Sequence, residues 1–303
     1  MDTIRHRKKM SDTELERPLL EKNEGLSLNP STSSRPPTAL ADESKKLISY
    51  SGPFNLSSFL SSIFSCWRRI FEFLLVCFSR GATIFPELSP QQLECLQRIK
   101  AKATESFDSN NSQHQELLKQ LWIRAFPEMP FANPKSEQWK EMGWQGVDPA
   151  TDIRGAGCLG LDCLLYLADK HPAIFMRLLN KLDGQRSDWE YPFAVAGLNI
   201  SFMLLEVIGL QSAGTASSTS GEGLAAAVNR TPAGRGFAML IAINDCAFQE
   251  LFVMVFERLD KEWLSQGASY MQFGQVMKAV KAQVERTLSS NCKTMEQVRA
   301  KLG

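Results

Sequence analysis

Large apolar residues recur at intervals of three, four and seven through most of the chain after residue 86. This spacing places them on one face of an α-helix. Two stretches, 157–169 and 192–210, are apolar on nearly every side, so we expect them to form central helices. No strand-like alternation bounded by hairpin dipeptides stands out. The pattern predicts an all-α fold, with a multi-helix domain over residues 86–303.

Short local signals predict where some of these helices begin and where the series is interrupted. Ser89, Pro90 and Gln92 supply an N-cap, a proline at the first helical position and a capping box. Ser136 is placed to cap a short helix that contains Trp139. Residues 211–236, in contrast, are rich in Gly, Ala, Ser and Thr, which predicts a flexible loop.

Some side chains of the helical region have a predicted place in the core. Trp122, Trp189 and Trp263 are expected to anchor it, because large aromatic side chains bury the most surface. Asn199 and Glu206 interrupt an otherwise apolar stretch. We expect them to be buried polar residues with internal hydrogen-bond partners.

Two further segments precede the helical domain. Residues 1–52 mix charge with Ser, Thr and Pro, so they cannot bury enough surface to offset chain entropy, and a disordered tail is predicted. Residues 53–80 show helical spacing and predict an amphipathic helix. Arg68, Arg69 and Glu72 argue against a membrane span. The apolar face fits either docking on the main domain or, over residues 54–78, contact with a membrane surface.

Composition and charge exclude several classes of function. The 34 Lys and Arg balance 33 Asp and Glu, and a net charge of +1 is not that of a general nucleic-acid binder. No C-x-x-C or H-E-x-x-H motif occurs, so no metal and no cofactor are predicted. Cys158 and Cys163 are predicted to be buried, reduced thiols. No signal peptide stands out, which predicts a cytoplasmic protein, with peripheral attachment to internal or plasma membranes as the open alternative.

Residues 138–157 differ from the helical pattern around them. They combine four glycines, one proline, two tryptophans, two aspartates and one arginine. Glycines allow sharp turns and close backbone approach, and Asp148-Pro149 favours a turn. Asp152 is predicted to cap the central helix that follows. Arg154 therefore lies on a loop just before that helix, and rigid scaffolds commonly present chemically active residues on such loops.

Arg154 has a narrow range of possible chemistry. Its guanidinium stays protonated, so it cannot act as a general base, and no Ser-His-Asp, Cys-His or paired-carboxylate pattern accompanies it. The chain also lacks a P-loop, so no nucleotide hydrolysis of its own is expected. Two interpretations remain. Arg154 is either an arginine finger that acts in trans on a GTPase or the partner of Asp148 or Asp152 in a structural ion pair.

The run from Trp139 to Gly157 resembles the signature of the ELMO (engulfment and cell motility) domain family, W-x-x-x-G-F-Q-G-x-D-P-x-T-D-F-R-G-x-G. Trp144 and Ile153 stand where the family usually has Phe. Further similarity lies in residues 160–166, 191–200 and 248–263, so the resemblance covers roughly residues 86–290. The positions that match the signature are Trp139, Gly143, Gln145, Gly146, Asp148, Pro149, Thr151, Asp152, Arg154, Gly155 and Gly157.

The resemblance implies a fold and a function. ELMO domains are all-helical, and short members of the family resemble GTPase-activating proteins for Arf-family GTPases, with the arginine of the signature as the required residue. For this chain, that role falls to Arg154. The alternative is a non-catalytic adaptor for a small GTPase or a Rac-type exchange factor, in cytoskeletal or membrane-traffic signalling. The resemblance assigns loop shaping and GTPase contact to the rest of the segment, which comprises Trp139, Gly143, Trp144, Gln145, Gly146, Asp148, Pro149, Thr151, Asp152, Gly155 and Gly157.

Overall fold

The structure, a computed structural model, describes residues 87–131, 133–211 and 221–303. The predicted tail over 1–52 and the predicted amphipathic helix over 53–80 lie outside these residues, and contact of 54–78 with a membrane stays a prediction. Among the described helices, none is long and apolar enough to cross a lipid bilayer.

The described residues form α-helices joined by short connections and three 3₁₀ turns, which confirms the predicted all-α fold. The 3₁₀ turns span Glu137–Met142, Pro149–Thr151 and Tyr270–Gln272. The α-helices, in chain order from α1 to α10, are Pro90–Thr104, Ser112–Ala125, Gly157–Lys170, Pro172–Leu179, Phe193–Val207, Gly221–Asn229, Pro232–Ile241, Ala247–Ser265, Phe273–Ser289 and Met295–Leu302.

Several helices begin at side chains that satisfy their first backbone N–H groups. The capping box predicted at α1 is present, with Ser89 and Gln92 each accepting a hydrogen bond from the other's backbone N–H. Asn111 caps α2, and Thr231 caps α7. Proline at the first position of α1, α4 and α7 costs nothing there, because that N–H has no helical partner.

Helix α3 lies at the centre of the domain, as its nearly continuous apolar sequence predicts. It packs against α1, α2, α4, α5 and α8. Ten of its fourteen residues are buried, among them Cys158 and Cys163, which are free thiols as expected. Helix α5 is also buried on most sides. Trp122 and Trp263 are each 1% exposed and anchor the core as predicted.

The predicted flexible loop over residues 211–236 is wrong for residues 221–236, most of which lie in helix α6 and the first half of α7. Residues 212–220 of the predicted loop lie outside the described part of the chain. The small residues serve close packing. A Cβ atom on Gly234 would lie 2.1 Å from the carbonyl oxygen of Val228, and one on Gly236 would lie 1.9 Å from that of Leu288. Glycine therefore lets α7 approach neighbouring backbone directly.

Two predictions about core side chains are also wrong. Trp189 is 37% exposed, because it lies in the irregular connection between α4 and α5. Glu206 faces solvent and pairs with Lys281 of α9, with 2.6 Å between Oε1 and Nζ. Asn199 is half-buried, and its Nδ2 donates to the carbonyl of Val195 at 2.8 Å, as a satisfied polar residue should.

Candidate functional site

Residues 143–157, here called the Arg154 loop, connect the first 3₁₀ turn to the central helix α3. The preceding turn begins at Ser136, whose side chain accepts from the N–H of Gln138 as predicted. At its other end, Gly143 has a left-handed φ of 88°. A Cβ atom there would lie 2.4 Å from the backbone nitrogen of Phe193. Only glycine allows the loop to leave the turn against the start of α5.

Two buried tryptophans support the beginning of the loop. Trp139 and Trp144 are 1% and 2% exposed, and their rings meet edge to face with centroids 6.1 Å apart. Trp139 also packs edge-on against Trp122 of α2, and its Nε1 donates to the carbonyl of Pro134 at 3.0 Å. These aromatic contacts make the loop an extension of the core.

Asp148 organises the second 3₁₀ turn, which lies within the loop. Its Oδ1 accepts from the N–H of Ala150 at 3.1 Å, and its Oδ2 lies 2.8 Å from Nζ of Lys135. Pro149 is buried at the first position of the turn. The hydroxyl of Thr151 donates back to the carbonyl of Asp148 at 2.8 Å. The aspartate therefore acts as a local cap, and its ion-pair partner is a lysine.

Asp152 ties the two sides of the loop together. Its Oδ2 accepts from the backbone N–H of Gln145 at 2.8 Å. Burial raises the pKa of Asp152 above its ordinary value, although this hydrogen bond and the charge of Arg154 act in the opposite direction. The prediction that Asp152 caps the central helix is wrong, because α3 begins after Ala156 without a side-chain cap.

Arg154 is exposed at the end of the loop. Its Nε donates to the carbonyl of Thr151, three residues earlier. The structure gives Arg154 no ion pair with any carboxylate of the described residues, so neither Asp148 nor Asp152 is its partner as the structural alternative required. Within the same residues, Nη1 and Nη2 have no hydrogen-bond partner. The planar end of the guanidinium is thus open to solvent.

Two glycines fix the backbone on the far side of Arg154. A Cβ atom on Gly155 would lie 2.6 Å from Cδ2 of Phe202 in α5. Gly157 has a φ of 52°, and a Cβ atom there would lie 2.6 Å from the carbonyl oxygens of Ala103 and Glu105. Gly146 differs, since a Cβ atom on it would have only one neighbour, at 4.0 Å. A side chain at Gly157 is therefore excluded by backbone atoms, one at Gly155 would require the Phe202 ring to move, and Gly146 has room for one.

The first turn of α3 is anchored by a different part of the chain. The N–H of Cys158 donates to the carbonyl of Glu105 at 2.9 Å, just after the end of α1. This bond replaces the missing side-chain cap. Both flanks of Arg154 thus rest on other elements of the core. The predicted site residues from Gly143 to Gly157 lie in this loop, and Trp139 lies in the turn that precedes it. Contact with a GTPase stays a prediction for them.

Glu105, His114 and Cys158 form a cluster beneath this loop, with potential metal-ligand atoms within 4.8 Å of one another. Nδ1 of His114 accepts from the N–H of Asp108 at 3.0 Å, so the proton of the neutral ring lies on Nε2. Nε2 then donates to Glu105 at 3.0 Å and has no lone pair for a metal. Burial also raises the pKa of the Cys158 thiol to about 11. The cluster therefore fits a structural role.

Sequence reasoning missed Phe202 and Lys135, both of which contact the loop. Phe202 lies in a stretch that is apolar on nearly every side, so nothing in the pattern separates it from core residues. Lys135 lies 13 residues before Asp148 in a polar connection. No periodic signal links such a pair.

The model of the ELMO/CED-12 family matches residues 97–277, which include the whole Arg154 loop. Relatives include ELMO domain-containing protein C of Dictyostelium discoideum, 33% identical over 71% of this chain and 33% of the relative. ELMO domain-containing protein A of the same organism is 32% identical over 70% of this chain and 22% of the relative. ELMO domain-containing protein 1 of Bos taurus is 38% identical over 32% and 34%.

The matches span about a third or less of the length of these relatives. The family model itself matches more than half of this chain. The matched residues include the central helix α3 and the loop that presents Arg154. The all-helical fold agrees with the resemblance that the sequence carries. The chain belongs to the ELMO/CED-12 family.

Proposed function

We propose that this protein activates GTP hydrolysis by a small GTPase of the Arf family, with Arg154 as an arginine finger supplied in trans. One observation carries the proposal. The guanidinium of Arg154 is exposed, and its two terminal nitrogens have no partner among the described residues, while the loop behind it is packed against the core. A free planar cation on a rigid support is what phosphoryl transfer requires from a finger.

The chemistry needs no nucleotide site on this chain. In the transition state, negative charge spreads over the oxygens of the transferred phosphoryl group. Two N–H groups of a guanidinium can bind two of these oxygens at once, which a lysine ammonium cannot do in the same geometry. A finger of this kind raises the rate by about 10³–10⁵, or roughly 4–7 kcal/mol of activation free energy.

Family membership supports the partner class. ELMO domains are generally linked to the regulation of small GTPases. The choice of an Arf-family GTPase follows from the resemblance to short ELMO proteins. A Rho- or Rac-family GTPase, reached through an exchange factor, is the alternative that belongs to an adaptor without catalysis.

The test is a single-turnover assay of GTP hydrolysis on a panel of purified Arf- and Rho-family GTPases. Wild-type protein is expected to accelerate hydrolysis by at least one of them. Arg154→Lys is expected to keep binding and to lose most of the acceleration, about 100-fold or more, because lysine lacks the planar fork. Arg230→Lys, which changes another exposed arginine, serves as the matched control and is expected to match wild type.

The outcomes separate the catalytic proposal from the adaptor. If wild-type protein binds a GTPase but never accelerates hydrolysis, the adaptor is correct. If Arg154→Lys accelerates hydrolysis as well as wild type does, the protein activates its GTPase by other means and the finger is wrong.

A further inference from the structure

Helix α5 exposes one narrow stripe beside the Arg154 loop. Twelve of its fifteen residues are buried, and the three that are not are Asn199, Phe202 and Glu206. Their spacing of three and four places them on the same side of the helix. The rest of α5 faces the core, so this stripe is the part of the helix that a partner could reach.

The stripe continues directly into the loop at Phe202. The ring of Phe202 lies over Gly155, and three of its carbon atoms fall within 3.4 Å of the position that a Cβ atom would take. Gly155 is itself exposed and follows Arg154 in the chain. Because Gly155 has no side chain, the ring of Phe202 packs directly against the residue that follows Arg154. We call Arg154, Gly155, Asn199, Phe202 and Glu206 the Arg154–Phe202 surface.

Two charged residues lie near Phe202 in sequence or along the helix. Arg154, next to Gly155, has no ion pair among the described residues. Glu206, one helical turn after the half-buried Phe202, pairs with Lys281 at 2.6 Å. An aromatic centre beside an arginine, with a paired charge at the margin, is the composition of the energetically important part of protein interfaces.

We propose that Phe202 is a contact residue for the GTP-loaded GTPase and that it supplies affinity, whereas Arg154 supplies rate. This inference rests on the proposed function. Charge complementarity identifies the occupant, since the cation of Arg154, which has no ion pair among the described residues, matches the triphosphate that a GTP-loaded GTPase carries. The ring would then pack on the apolar rim of the nucleotide site of the partner. Burial of an aromatic side chain contributes equally before and in the transition state, so it changes affinity alone.

The experiment measures GTP hydrolysis on a responsive Arf-family GTPase over a range of concentrations of this protein. Phe202→Ala is expected to raise the half-saturating concentration about tenfold and to keep the maximal rate within about twofold. Phe202→Leu keeps an apolar side chain against Gly155 and is expected to raise the half-saturating concentration less than Phe202→Ala does. Met271→Ala removes an apolar side chain that is 77% exposed on another element, and it should leave both quantities unchanged.

Each outcome has a defined meaning. A wild-type protein that accelerates no GTPase refutes the proposed function, and this inference with it. Wild-type acceleration together with an unchanged half-saturating concentration in Phe202→Ala overturns only the inference. If Phe202→Ala does not fold, judged by its circular dichroism, Phe202→Leu decides by the same criterion. A wild-type dimer in sedimentation that Phe202→Ala dissociates also overturns it, because a second copy would then cover the ring.

Discussion

Two glycine-rich regions of this protein use glycine for different purposes. In the Arg154 loop, Gly143 and Gly157 adopt positive φ values of 88° and 52°, which other residues rarely reach. In helix α7, Gly234 and Gly236 have ordinary helical conformations and are needed because neighbouring carbonyl oxygens lie where a Cβ atom would be. The first pair redirects the chain, and the second pair brings two elements together.

The comparison shows what glycine content says about order. The composition of residues 211–236 predicts mobility, yet most of 221–236 is helical. Gly234 and Gly236 there, like Gly143 and Gly157 in the site loop, each have a backbone atom within 3 Å of the position that a Cβ atom would take. A glycine beside such atoms marks a rigid contact, and only a glycine with open space around it leaves the chain free.

Gly143→Ala is expected to have the largest effect on stability. It combines a positive φ with a clash against the backbone of α5, and should lower the free energy of unfolding by about 4 kcal/mol. Gly267→Ala is the matched control, because Gly267 has a φ of 54° and no atom within 4 Å. Gly267→Ala should lower the free energy of unfolding by only about 1 kcal/mol. Equal losses in urea denaturation would show that packing against α5 does not hold the site loop.

Gly236→Ala tests helix α7. It is expected to lower the free energy of unfolding by roughly 3 kcal/mol, because α7 must move away from α9. The control is Gly274→Ala in the first turn of α9, where nothing lies within 4 Å. Gly274→Ala should raise the free energy of unfolding by about 0.5 kcal/mol, because alanine loses less backbone entropy on folding than glycine does. A neutral Gly236→Ala in the same thermal or urea measurement would mean that residues 221–236 are as mobile as their composition suggests.

Asp152 gives a smaller, pH-dependent effect. Its pKa is raised in the folded protein from 3.8, so ionisation costs stability as the pH rises through the folded pKa. Asp152→Asn keeps an acceptor for the N–H of Gln145 and should be at least as stable as wild type at pH 7. This advantage should shrink as the pH falls toward 3.8.

Asp152→Ala removes the acceptor as well and should be about 1 kcal/mol less stable than Asp152→Asn, because the N–H of the half-buried Gln145 loses its partner. Urea denaturation of the three proteins between pH 4 and pH 7 measures both effects. An advantage of Asp152→Asn that grows toward acid pH would contradict the assigned direction of the pKa shift.

The sequence predicts most of the fold because its signals are local. The Ser89 capping box, the proline that begins α4 and the apolar run of α3 each act within a few residues. Residues 221–236 are mispredicted because the groups that require Gly236 belong to Leu288, more than 50 residues away. Trp189 is mispredicted because burial depends on the path of an irregular connection.

The site is predictable to the same degree and for the same reason. The position of Arg154 just before the central helix, and the capping of the first 3₁₀ turn by Ser136, follow from neighbours in sequence. The partners of the two aspartates do not. Lys135 forms an ion pair with Asp148, and the backbone N–H of Gln145 donates to Asp152. Arg154 therefore lacks the ion pair that spacing alone suggested. The folded path of the loop, which spacing alone does not give, therefore decides against the ion pair between Arg154 and either aspartate.

The N–H of Cys158 donates to the carbonyl of Glu105, so the corner between α1 and α2, residues 105–111, supports the loop that presents the proposed finger. No residue of that corner belongs to the Arg154–Phe202 surface. We expect an insertion that displaces the carbonyl of Glu105 to break this bond and to shift the arginine, while leaving its own loop unaltered in sequence. Surveys of inactivating variants in this protein should therefore include insertions at residues 105–111, where a comparison confined to the signature motif would find nothing changed.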